Sequence, residues 1–93
     1  MYYIKKIRQT CTACPSQWEA QDQDGHMIYI RYRWGHLSIR RSSEPSTDIY
    51  DAVLGEEIFH FGSDDPMDGY ITLEEVLDLA KDVVQVNQLE KYE

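Results

Sequence analysis

The sequence predicts an α+β domain: an antiparallel β-meander of three to four strands packed on a C-terminal helix, with a short middle helix. Three observations lead there. Turn signals at Gln23-Asp24-Gly25 and Gly35-His36 place one set of apolar side chains on the same face of the strands they join. Thr72-Leu73-Glu74-Glu75 forms a capping box ahead of an amphipathic helix. The 93 residues, 42% hydrophobic and 12% aromatic, supply one core and one domain, 1–93.

In chain order, Tyr2 to Thr10 reads as the first strand, rich in Tyr and Ile and ended by the loop signal Cys11-Thr12-Ala13-Cys14-Pro15. A three-residue hairpin loop at 23–25, with Gly25 left-handed, sets Trp18 opposite Ile30 and Ala20 opposite Ile28. A turn at Gly35-His36 with glycine first sets Trp34 opposite Leu37 and Tyr32 opposite Ile39. Both registers bury Trp18, Ala20, Ile28, Ile30, Tyr32, Trp34, Leu37 and Ile39, and leave Glu19, Tyr29, Arg31, Arg33, Ser38 and Arg40 on the other side. After the polar connector Ser42–Ser46, a helix is expected over about 48–54, while Glu56–Phe61 reads as either its continuation or a short strand. The capped helix carries Leu73, Val76, Leu77, Ala80, Val83 and Val84 on one face, which is expected to lie across the apolar side of the sheet.

The net charge of -8 conceals a division. Residues 1–43 hold seven basic side chains against three acidic ones, whereas residues 44–93 hold two lysines against fourteen carboxylates. The acidic half either neutralises the basic half internally or faces a partner. No stretch approaches the ~20 apolar residues of a membrane span. The start, Met1-Tyr2-Tyr3-Ile4-Lys5-Lys6, lacks the apolar core of a signal peptide, so a cytoplasmic protein without a membrane partner is expected.

Three groups of residues are candidates for chemistry. Cys11 and Cys14 have the spacing of a zinc half-site or a redox dithiol. Pro15 and a strand follow them rather than a helix, and His26, His36 and His60 form no paired second half, so two reduced thiols are the expected state. Asp64-Asp65-Pro66-Met67-Asp68-Gly69-Tyr70-Ile71-Thr72-Leu73-Glu74-Glu75 resembles an EF-hand calcium loop, with Asp64, Asp68, Gly69, Ile71 and Glu75 at matching positions. Pro66 stands where an oxygen ligand belongs and the chain holds no second hand; the same residues also make an acidic turn and a capped helix without an ion. The outward sheet face gathers Tyr29, Arg31, Arg33 and Arg40, with Arg31 expected near Arg40, a combination suited to phosphate contact and base stacking. No nucleophile–base–orienter set, phosphate-binding glycine loop or dinucleotide fingerprint is present. The expectation is therefore a non-enzyme without a cofactor or resident metal.

Cys14-Pro15-Ser16-Gln17-Trp18-Glu19, Tyr29-Ile30-Arg31-Tyr32-Arg33-Trp34-Gly35 and Asp68-Gly69-Tyr70-Ile71 resemble segments of small acidic proteins of bacterial and phage genomes. The resemblance brings no catalytic motif and implies an inhibitor of host defence or an adaptor acting on a protein partner. On that reading Asp64, Asp65, Asp68, Glu74 and Glu75 present nucleic-acid-like charge to a basic partner. The alternatives are a nucleic-acid module using Tyr29, Arg31, Arg33 and Arg40, and a small calcium- or zinc-binding domain.

Overall fold

The computed structural model describes residues 1–11, 16–62 and 71–86. Five strands follow one another in antiparallel order: β1 (Tyr2–Cys11), β2 (Ser16–Asp22), β3 (His26–Arg33), β4 (His36–Pro45) and β5 (Glu56–Gly62). A short helix, α1 (Ile49–Val53), lies between β4 and β5, and α2 (Leu73–Leu79) precedes a last strand, β6 (Val84–Val86). That strand returns to the far edge and pairs parallel to β1, giving the order β5-β4-β3-β2-β1-β6.

This corrects the expected fold class. The chain is mostly β, a curled, mixed six-stranded sheet with two short helices, and not a three- to four-stranded meander packed on a C-terminal helix. Two local choices account for the difference. Ile58-Phe59-His60-Phe61 takes the strand option that aromatic and β-branched residues favour and adds β5 beside β4. The C-terminal helix stops at Leu79, and Val84, expected on its apolar face, instead pairs with Tyr2 in β6. β-Branched valine gains more on a pleated ladder than in a last helical turn.

The first hairpin has the anticipated register, with Trp18 opposite Ile30, Ala20 opposite Ile28 and Gly25 at φ 87°. Asp22 closes its loop. Buried at 1% exposure, its Oδ1 accepts from the backbone N–H of Asp24 and His26, while Oδ2 accepts from Arg41 Nε at 2.7 Å. The Arg41 guanidinium also stacks over the Tyr2 ring, 4.3 Å from its centroid. Ser42 works in a similar way between β3 and β4, accepting from the Met27 N–H and donating to the Glu44 carbonyl.

The second hairpin differs from expectation by two residues. Tyr32 faces Leu37 and Arg33 faces His36, so the turn is Trp34-Gly35, with φ 55° and 75°. Two successive left-handed residues make a type I′ turn, whose twist matches that of the flanking strands. A two-residue shift preserves side-chain parity, so the same face stays buried, except that Trp34 leaves it and is 52% exposed.

The core cluster holds Ile4, Ile7, Trp18, Ala20, Ile28, Ile30, Tyr32, Leu37 and Ile39 from the sheet, with Ile71, Val76, Ala80 and Val84 from the C-terminal segment. Leu73 and Leu77 pack against it, partly buried. The capping box is formed: Thr72 Oγ1 accepts from Glu75 N–H and Glu75 Oε1 accepts from Thr72 N–H. Asp48 caps α1 by accepting from the Tyr50 N–H. Among the described residues, no helix is long and apolar enough to cross a membrane.

Candidate functional site

One face of the sheet carries the core, and alternation sends every second residue of β2, β3 and β4 to the other. On that other face the register lines side chains up in rows across the strands. The first row is Arg8, Glu19, Tyr29, Arg40 and Glu57, each opposite the next. The second is Gln17, Arg31, Ser38 and His60; the third is Arg33, His36 and Gly62. The expected juxtaposition of Arg31 with Arg40 is thus replaced by Arg31 opposite Ser38 and Arg40 opposite Tyr29.

The rows differ in how far their charges are matched. In the first, Arg8 Nη2 donates to Glu19 Oε1 at 3.1 Å, and Arg40 stands 4.0 Å from Glu57. Glu57 accepts from the Ser38 hydroxyl at 2.6 Å. That bond, with the charges of His60 and Arg40, holds its carboxyl below the usual carboxylate value despite some desolvation. Tyr29 shifts upward: burial disfavours its phenolate, the nearby Glu19 adds to this, and the Arg31 charge opposes it.

Toward the β3–β4 turn the matching stops. Among the described residues Arg31 and Arg33 enter no ion pair. Among the described residues the Nε–H of Arg31, like that of Arg40 in the first row, is shielded from solvent and donates to no acceptor. Arg33 lies over the exposed Trp34 ring, 5.2 Å from its centroid. Arg31, Arg33, Trp34, His36 and Ser38 line an open groove of about 320 Å³.

No protein family, curated protein or solved structure matches the chain. Its function is therefore argued from its own surface. The sequence reading placed Tyr29, Arg31, Arg33 and Arg40 on one face, and the sheet brings them together there. It puts Trp34 on the buried face, weighs His36 and His60 only as zinc ligands and leaves Glu57 out. For Trp34 a signal existed: in Arg33-Trp34-Gly35-His36, glycine stands where the second residue of a type I′ turn favours it. His36 joins from β4 opposite Arg33, while Glu57 and His60 reach the site through the β4–β5 pairing, which no local motif announces.

The acidic candidates divide. Asp64, Asp65 and Asp68, and most of the calcium-loop pattern with them, lie outside the described residues, as does Cys14. Glu74 and Glu75 are exposed in the first turn of α2, where they suit the positive helix end, and Glu75 is engaged in the cap. Among the described residues one ion pair joins the basic and acidic halves, Arg40 with Glu57. Cys11 ends β1, and His26 Nδ1 lies 2.8 Å from the Ser42 carbonyl. Among the described residues no three His, Cys, Asp or Glu side chains converge on one point.

Proposed function

We propose that this chain is a small macromolecule-binding module whose sheet face, formed by Tyr29, Arg31, Arg33, Trp34 and Arg40, takes single-stranded nucleic acid. The observation that carries the reading is the unmatched end of that face. Arg31 and Arg33, which pair with no described carboxylate, line an open groove beside an exposed tryptophan held in a left-handed turn. Phosphate oxygens would satisfy the guanidinium groups, and an exposed indole gives any base a stacking surface. Alternate residues of β3 stand roughly 6.8 Å apart, so Tyr29, Arg31 and Arg33 form a ladder along one direction rather than a point site.

Fluorescence anisotropy with labelled single-stranded DNA and RNA at moderate salt tests this. Wild type should bind with an affinity that falls as salt rises. Arg31→Ala/Arg33→Ala/Arg40→Ala should bind weakly, with a salt slope reduced by about 2, given ~0.7 per lost phosphate contact on single strands. Trp34→Ala should lose about 1–3 kcal/mol. No binding by wild type at low salt sinks the proposal.

A second reading is supported by the other surface. Glu74, Glu75, Asp78 and Asp82 are exposed on and just after α2 and make no ion pair with any described residue. This arrangement suits the inhibitor or adaptor reading, in which an acidic surface meets a basic protein. Charge-neutral substitutions at Glu74, Asp78 and Asp82 should then weaken capture of a basic protein partner while leaving nucleic-acid binding unchanged.

A further inference from the structure

His36 and His60 are diagonal neighbours on β4 and β5, and their rings meet edge on. His36 Nδ1 lies 3.4 Å from His60 Nε2, with ring centroids 5.4 Å apart and planes inclined by 34°. A tetrahedral zinc ion with Zn–N bonds of about 2.0–2.1 Å sets its ligand nitrogens about 3.3 Å apart. The two nitrogens are thus already spaced as one edge of such a coordination sphere. On the far side of the second ring, His60 Nδ1 faces Glu57 Oε2 at 3.7 Å. That contact is longer than a hydrogen bond; closed by a small rotation of either side chain, a carboxylate behind a ligating imidazole fixes the tautomer that leaves the other nitrogen's lone pair free for the metal. Glu57 is itself held in place by the Ser38 hydroxyl.

Gly62 completes the arrangement. A Cβ at that position would stand 3.2 Å from His36 Cε1 and Nδ1, tighter than ordinary contact, so the His36 ring would have to shift by a few tenths of an ångström.

We infer that His36 and His60 form a two-imidazole site for a borderline divalent cation such as Zn²⁺, with Glu57 as the positioning residue for His60. Without metal, in the tautomer that leaves His60 Nε2 unprotonated, His36 Nδ1–H donates to it. On binding, the ion replaces that proton, which passes through solvent to His36 Nε2. Water fills the remaining positions. The inference does not depend on the nucleic-acid reading, although an ion here would add positive charge beside the Arg31–Arg33 groove, which His36 also lines.

Zn²⁺ titration followed by calorimetry and by imidazole ¹⁵N shifts tests the site. It should be run on wild type and on Cys11→Ser/Cys14→Ser, which removes the thiols as competing ligands. Both should bind one equivalent, with the ¹⁵N shifts assigning the ion to His36 Nδ1 and His60 Nε2. His36→Ala and His60→Ala should each lower affinity at least tenfold. Glu57→Gln should lower it about tenfold and mix the His60 tautomers. Gly62→Ala should weaken binding by displacing His36. Circular dichroism checks that each variant is folded, with His60→Gln replacing any alanine variant that is not. Unchanged affinity in the histidine variants overturns the inference. So does loss of all binding in the cysteine-free protein, which would place the ion on the thiols.

Discussion

Trp34 holds a backbone conformation that disfavours bulky side chains. A bulky residue in the left-handed region carries roughly 1–2 kcal/mol of strain, and this one is half exposed at φ 55°. Asparagine is the residue type I′ turns favour there. Trp34→Asn should therefore raise stability by about 0.5–1 kcal/mol in denaturant melts while weakening nucleic-acid binding. A variant that loses stability would show that the indole serves the fold. Tyr29 offers a second check, through its titration. Because burial raises its folded-state pKa, the native protein holds the phenolic proton more tightly than the unfolded chain. The resulting stability is fully present below the unfolded value of about 10 and is lost as pH rises through the folded one. Absorbance at the phenolate band should show a late phase that Tyr29→Phe removes. Arg31→Ala should shift that phase later still, since the Arg31 charge opposes the rise.

At the scale of the element, the β2–β3 hairpin depends on one carboxylate. Asp22 satisfies two backbone donors and the Arg41 guanidinium from a position with almost no solvent contact. Asp22→Ala leaves Arg41 without its close partner and should cost about 3–5 kcal/mol, against under about 0.5 kcal/mol for Arg33→Ala on the open face. Equal melting temperatures for the two variants would refute this ranking. Elements written in local chemistry are legible in the sequence alone. Gly25 specified the first hairpin, Asp48 sits at the start of the expected short helix, and Thr72 with Glu75 marked the second. What escaped depends on distant pairing. Val83 and Val84 continue the apolar spacing of α2, and only a free edge at β1 makes strand the better state for Val84-Gln85-Val86. The site was legible to the same extent. Parity put Tyr29, Arg31, Arg33 and Arg40 together, whereas His60 and Glu57 arrive through β5.

Across the whole molecule, a net charge of -8 acts as self-repulsion, which salt screens. Raising NaCl from about 20 to about 500 mM should raise the melting temperature. A fall would mean that surface pairs outweigh net repulsion. β6 has a different kind of consequence. Tyr2 pairs with Val84, so the sheet's outer seam joins residues from nearly opposite ends of the sequence. Contacts of such high sequence separation form slowly, because a long loop must close before any of them is gained. A chain still emerging from the ribosome has β1 through β5 available long before Val84 appears. Until then the β1 edge is open, and Ile4 and Ile7 lack the Val84 neighbour that belongs to their core cluster. Synthesis thus creates an interval in which an otherwise well-ordered sheet is vulnerable to pairing with another chain, and three residues end it.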